Sequence, residues 1–221
     1  MRHPHGLRAA AAAGILAPGA AYEGGFFAGY ISHTADGVAT HALIVAPAAT
    51  GATGTGYTLT TNKQSKTTSS TTVGTTSTYD GAANTAAMVT AGIALHPAAQ
   101  FCTGLSIGGY TDWYLPAWYE LEIAYYNLKP TTDNNLNGYG INTYSVPARG
   151  TGYTAGTPAQ TTVAAFQSGG AEAFVADVHW TSTEALAFPS QTVILILNNG
   201  RQSSVSKAAS YRVRAFRKLA L

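Results

Sequence analysis

Apolar positions in this chain fall into short runs, and the period of those runs changes along its length. Gly24–Ser32 (GGFFAGYIS) and Thr40–Ala46 (THALIVA) are strand-like runs flanking the turn signal Ala35-Asp36-Gly37, and Pro47 closes the second. That arrangement predicts a β-hairpin. Ala48–Gly56 reads as loop, because Gly51, Gly54 and Gly56 lack the strand–glycine–helix setting of a phosphate-binding turn. Thr58–Thr78 is dominated by Thr and Ser. β-branched threonine favours extended backbone, so this segment reads as a long polar hairpin or arm, with a disordered linker as the alternative.

Helical spacing follows. Asn84 is a candidate N-cap for a helix from Thr85 to about Leu95. Pro97 suits the first turn of a second segment, in which Ala98, Phe101, Cys102 and Leu105 make one apolar stripe. Pro116 starts a further helix with an inner stripe of Trp118, Leu121, Tyr125 and Leu128, ended by Lys129-Pro130. Glu120 and Glu122 on this helix point about 200° apart and so cannot share a site. One is expected to bond a neighbouring backbone or arginine, and the other to be solvated.

Thr131–Val178 loses periodicity and is rich in Asn, Tyr and Gly. Thr157 is a candidate cap for a short helix from Pro158 to Phe166, stopped by Gly169-Gly170. Strand periods return in Asp177–Glu184, in Thr192–Leu197 (TVILIL) and, after the turn Asn198-Asn199-Gly200, in Arg201–Ser206. Tyr211–Leu219 (YRVRAFRKL) alternates as a final strand.

Composition sharpens this picture. The 221 residues suffice for one large domain or two small ones. Charged residues make up only 10% of the chain, against the ~25% usual in globular domains, and net charge is +2. Polarity comes instead from 30 Thr and 14 Ser beside 40 Ala and 24 Gly. So little charge suits a protein packed into an assembly or displayed outside a cell, and it argues against nucleic acid as the main partner. A hydrophobic fraction of 46% argues against disorder. Cys102 is the single cysteine, so neither an intrachain disulfide nor a multi-cysteine zinc site can form. No apolar run reaches the roughly 18 residues of a membrane span. Met1–Ala21 loosely imitates a signal peptide, but its apolar run is short and mostly alanine. An attachment arm docked on a neighbour is the preferred reading, with the domain proper at 22–221.

Taken together, FCTGLSIGGYTDWYLPAWYELEIAYYNL, a long insert, HWTSTE, an NNG hairpin and YRVRAFRKL form a specific combination. It resembles the Lcl C-terminal-type domain, a C-type-lectin-like domain frequent in bacteriophage tail-fibre and other virion proteins and found also in bacterial surface proteins. The matching positions are Asp112, Trp113, Leu115, Pro116, Trp180, Ser182, Thr183, Glu184, Asn199, Gly200, Arg212, Val213, Arg214 and Arg217. They are read as scaffold. The resemblance implies an α+β fold, with two helices against a twisted antiparallel sheet and long loop insertions, its first and last strands brought together.

Function is a separate matter, because a fold does not fix it. The Glu-Pro-Asn and Trp-Asn-Asp elements of calcium-dependent lectins are absent. Asp133-Asn134-Asn135 with Asn137 offers one carboxylate, too little for a calcium site, so no metal or other cofactor is expected. Formylglycine-generating enzymes have a similar fold but use a cysteine pair. Asp177 and His179 share a strand face with no nucleophile identifiable nearby, so no catalytic residues are assigned. Residues 131–178, long loops of Tyr, Asn, Ser, Thr and Gly, have the composition of binding loops. Asn134, Asn135, Tyr139, Asn142, Tyr144, Arg149 and Tyr153 are the candidate binding surface. The expectation is a non-enzymatic phage virion surface protein that binds a host cell-surface glycan or protein. It would join other virion proteins through residues 1–21 and its domain surface as a homo-oligomer, a trimer fitting the symmetry of fibres. A purely structural decoration or fibre-cap subunit and a bacterial surface adhesin are the alternatives.

Overall fold

The computed structural model describes residues 16–221. In chain order the elements are β1 (Ala21–Tyr22), β2 (Gly25–Ile31), β3 (His41–Val45), α1 (Ala48–Gly51), β4 (Ala52–Thr53), β5 (Lys63–Gln64), α2 (Gly81–Gly92), α3 (Pro97–Thr103) and α4 (Trp118–Leu128). There follow β6 (Ser145–Val146), β7 (Val178–Glu184), β8 (Gln191–Ile196), β9 (Arg201–Ser206), β10 (Ser210–Tyr211), β11 (Val213–Arg214) and β12 (Phe216–Ala220). The architecture is α+β with antiparallel sheets. One sheet runs β1-β2-β3-β12 with β6 added beside β2, and a second runs β7-β8-β9. Two short ladders, β5 with β10 and β4 with β11, tie the first third of the chain to its end.

The first hairpin forms as its pattern predicts. Phe26 faces Val45 and Ile31 faces His41, with a bulge between Phe27 and Gly29. Gly29 has φ +143°, and a Cβ there would lie 2.5 Å from Asn127 Nδ2 and 2.6 Å from Ile123 of α4. Glycine therefore lets α4 sit against the sheet. The last strand docks beside the early ones, Phe216 opposite Val45 and Ala220 opposite His41. Successive residues of β3 point to opposite faces. Leu43 and Val45 enter a core with Tyr125, Leu128, Phe166, Leu195 and Phe216. Ile44 and Ala46 enter a second with Met88, Cys102, Trp113, Trp180, Ile194 and Val213. Burial on both faces explains why β8 reads as an apolar run rather than an alternation.

Several expectations are corrected. Ala48–Gly56 is not all loop, since Ala48–Gly51 makes one helical turn and β4 follows. Thr58–Thr78 is neither a hairpin nor a free arm. Only Lys63–Gln64 is strand, and Ser65, Lys66, Thr72 and Thr75 are buried. This strap wraps around the Lys66 ammonium, which donates to Ser70 O (2.9 Å), Thr71 O (3.1 Å) and Thr72 Oγ1 (2.7 Å). Thr and Ser here bond to backbone and side chains nearby because they offer no apolar face to a sheet. α2 begins at Gly81, capped by Asp80, whose Oδ1 accepts from Ala83 N at 2.9 Å. Asn84 instead sits inside the helix and donates to Ser77 O (2.7 Å) and Ser182 Oγ (3.1 Å). α4 starts two residues after Pro116 and ends at Leu128, before Lys129-Pro130.

The segment expected to be helical from Pro158 to Phe166 holds only a 3-10 turn, Ala164–Phe166. The Pro158 carbonyl is occupied by Lys129 Nζ and Asn135 Nδ2 and so cannot accept from a following turn. Glu120 and Glu122 are both buried, so neither is solvated. Ala21–Tyr22 already belong to the first sheet, with Ala21 opposite Phe26, and Gly19 N donates to Phe27 O (2.7 Å) just before it. The domain thus begins before residue 22, and the rest of the expected arm, residues 1–15, lies outside the described residues. No helix among the described residues is long and apolar enough to cross a membrane.

Candidate binding groove

The insert contributes little regular structure, yet it is pinned to the body by buried polar groups. Glu122 on α4 is bonded by Arg149, by Tyr153 Oη (2.5 Å) and by Asn142 Nδ2 (2.5 Å). Burial holds this carboxyl above its ordinary range, against the pull of Arg149 and the hydrogen bonds. Asn135 Nδ2 donates to the carbonyls of Thr154, Ala155 and Pro158, while its Oδ1 accepts from Tyr125 Oη. Asn135, Asn142 and Tyr153 are buried, and Arg149 lies over the Tyr126 ring at 4.0 Å while pairing with Glu122. These four of the expected binding residues are therefore structural. Asn134 is exposed, and Tyr139 and Tyr144 are half-buried.

Tyr139 and Tyr144 lead to a site that the sequence did not mark. Tyr79, Tyr144, Tyr119 and Trp118 stack in series, with centroid separations of 4.3, 5.6 and 5.1 Å. The start of α4 carries the last two rings and is fixed by Trp118 N to Thr183 Oγ1 (3.1 Å) and Tyr119 N to Thr78 O (2.7 Å). Trp118 and Tyr119 form part of the wall of a groove of about 620 Å³. Its floor is one face of the β7-β8-β9 sheet, where Val193 lies opposite Ser204 and Gln202 is two residues away. One flank is Gly138–Ile141 of the insert, and the other is the loop Ala185–Phe188. That loop is tightly turned, with Phe188 N donating to Ala185 O (3.0 Å) and Gln191 N to Phe188 O (2.8 Å).

The groove's chemistry is specific. Leu186 (82% exposed), Phe188 (56%) and Ile141 (51%) are far more open than large apolar side chains usually are in a packed domain. Trp118 Nε1 and Gln202 Nε2 are shielded from solvent and have no hydrogen-bond partner among the described residues. Glu184 is the sole charged residue of the lining. It is consumed inward by Lys207 Nζ (2.6 Å) and Thr72 N (3.0 Å).

The positions that carry the resemblance are engaged in ion pairs or buried in the packing. Arg217 pairs with Asp112 (2.8 Å) and lies over Tyr110, Arg214 pairs with Glu172 (2.9 Å), and Arg212 pairs with Asp177 (2.8 Å). Trp113, Leu115, Trp180, Ser182 and Thr183 are buried. Pro116 O accepts from Ser182 N at 2.7 Å, joining the start of α4 to β7. Gly200 has φ +71° and abuts Tyr125 and Tyr153, where a Cβ would clash.

His179 is fully buried, its Nδ1 donating to Asp177 O (3.0 Å) and its Nε2 accepting from Tyr57 Oη (2.7 Å). Burial pushes its pKa down to about 3, so it is a neutral packing residue, and the Asp177 carboxylate faces Arg212 instead. His96 is likewise buried, with its pKa lowered to about 4. Cys102 is buried, and burial raises its thiol pKa. Among the described residues no group of three or more His, Cys, Asp or Glu could hold a metal ion.

Sequence reasoning missed Trp118, which its helical period placed on the inner stripe, and it missed Leu186, Phe188 and Gln202. The signal was present in ALAFPS: large apolar residues in a strand connection, with no period to bury them. No family model, curated protein or solved structure matches this chain.

Proposed function

We propose that the chain is a non-enzymatic surface protein of a bacteriophage virion. Its C-type-lectin-like scaffold would present the Trp118 groove to the host cell surface. The scaffold half of this reading rests on the sequence resemblance. The pairing of β3 with β12 and the ion pairs that fix Arg212, Arg214 and Arg217 are consistent with it. The binding half is carried by one observation: the stacked rings of Trp118 and Tyr119 and the exposed Leu186 and Phe188 line the same groove of about 620 Å³. Concave, mostly apolar sites are where ligands bind. Copies held together on a particle would multiply a weak contact.

The test is a pull-down on intact candidate host cells with purified wild-type chain and a Trp118→Ala/Tyr139→Ala variant of unchanged Tm. Saturable binding that the variant loses supports the reading; no binding by an oligomeric wild type removes it. One observation favours a structural decoration role instead. α2 carries no charged residue and exposes Ala83, Ala86 and Val89, while its Ala87, Thr90 and Ala91 line a hollow together with exposed Val73 and Leu95. In that case Val89→Asp abolishes particle incorporation while wild type never binds cells.

A further inference from the structure

We propose that the chain pairs with a second copy of itself along β9, antiparallel and centred on Ser204, so that two β7-β8-β9 sheets join into one. The inference is independent of the host-binding reading and starts from the edges of the sheets. On the outer side of β7, the amides of Trp180, Ser182 and Glu184 donate to Arg212 O (2.9 Å), Pro116 O (2.7 Å) and Thr75 O (2.8 Å). In the other large sheet, β1 and β6 are two residues long, and β12 carries Arg217 and Lys218. Occupied, short and charged edges keep sheets from pairing with other chains. β9 has none of these devices. It is six residues long, pairs with β8 in unbroken register, and holds no charge or proline from Gln202 to Ser206.

Register decides which groups face outward. Lys207 N donates to Ser190 O (3.0 Å), and Leu197 N, just past β8, donates to Asp177 O on the β7 side (3.1 Å). Amides alternate sides along a strand, so Ser203 and Val205 bond toward Ile194 and Thr192 of β8, while Gln202, Ser204 and Ser206 turn their N–H groups to the open edge. Among the described residues, no backbone group bonds to Gln202 or Ser204 on that edge.

The strand's own sequence chooses the occupant. A two-fold axis through an antiparallel seam must pass through a residue, because facing side chains share a sheet face while neighbours in a strand alternate. Centred on Ser204, the axis places Ser204 opposite its own copy and Gln202 opposite Ser206, which engages every outward amide of both strands. None of these facing residues is charged. Arg201, the exposed charge at the start of β9, then lies about 20 Å from its symmetry mate, beyond the screening length. Lys207, which faces it, is buried and paired with Glu184 (2.6 Å). The axis stands perpendicular to the sheet, so both Trp118 grooves, floored by one face of this sheet, open on the same side.

Sedimentation of the full wild-type chain between about 1 and 500 µM should show a monomer–dimer equilibrium. Ser204→Pro removes an N–H that β8 does not use, so the ladder within one copy is kept. It should raise the dissociation constant by about tenfold or more at unchanged Tm, through loss of the two central hydrogen bonds. Cross-linking reads the register and does not depend on how that variant folds. Facing Cα atoms of a bonded antiparallel pair lie about 5.5 Å apart, within reach of a disulfide. Ser204→Cys should therefore give a covalent dimer under mild oxidation, and Arg201→Cys, at the end of the seam, should not. Cys102 is buried and stays out of the reaction. A wild type that remains monomeric at the highest concentration, or that forms trimers, overturns the proposal. So does a dimer that Ser204→Pro leaves intact at unchanged Tm, or equal cross-linking of the two cysteine variants.

Discussion

At the residue scale, two carboxyls two positions apart on α4 meet different environments. Glu122 faces Arg149, whereas Glu120 accepts only neutral donors: Ala117 N (2.7 Å), Tyr114 Oη (2.8 Å) and Gly81 N (3.1 Å). Burial raises the Glu120 pKa from 4.5 to about 7, the hydrogen bonds only partly offsetting it. A raised folded pKa means that this residue's contribution is full below pH 4.5 and is lost as pH climbs to about 7. His96 and His179, lowered to about 4 and about 3, act with opposite sign: their contribution is present above pH 6.5 and fades as pH falls. Glu120→Gln therefore should gain on wild type by a few kcal/mol between pH 4.5 and 8, read from urea unfolding at both ends. Parallel stability curves for the two proteins would show that Glu120 does not titrate in this way. The helical period correctly separated the two carboxyls, but a period reads direction and not depth, and so their shared burial was not legible.

At the element scale, the insert is a lesson in composition. Asn, Tyr and Gly suggested adaptable loops, and Asn134 does stay outside, but Tyr139 is half-buried against the core and Asn135, Asn142 and Tyr153 turn inward to close buried polar networks. Their partners lie on α4, 10–31 residues earlier in the chain, so no local pattern could announce them. The networks make a strong claim about stability. Arg149→Met leaves the Glu122 carboxylate buried without a cation and is expected to cost about 3–5 kcal/mol in chemical denaturation. Adding Glu122→Gln should recover part of that loss, and a single variant as stable as wild type would mean that the pair is solvated. For α2, Asp80→Ala removes both the cap on Ala83 N and the partner of Lys218 (2.7 Å). A loss of about 1–2 kcal/mol is expected, measured by thermal or urea unfolding. The β-hairpin was legible because its alternation is set by two faces that both meet core, whereas Tyr211–Leu219, read as one final strand, is divided among β10, β11 and β12, which pair in turn with β5, β4 and β3.

At the scale of the whole molecule, a chain with few charges spends them on itself. Arg212, Arg214, Arg217 and Lys218 each meet a carboxylate supplied by a distant segment. The groove is left without free charge, so binding there should change less than about twofold between 50 and 500 mM NaCl, a range in which exposed ion pairs become screened. A steep decline with salt, seen in the cell pull-down, would place the contact elsewhere. The architecture also has a temporal side. β3, β4 and β5 take as partners β12, β11 and β10, so the first third of the fold is completed by the last dozen residues. On the ribosome, a nascent chain would carry those early strands with open edges until residues 210–220 clear the exit tunnel. Long-range closure of this kind is slow and exposed to mispairing. A chain cut short at residue 211 should therefore accumulate as aggregate or be degraded, so that folding of this domain becomes a checkpoint on synthesis of residues 210–220.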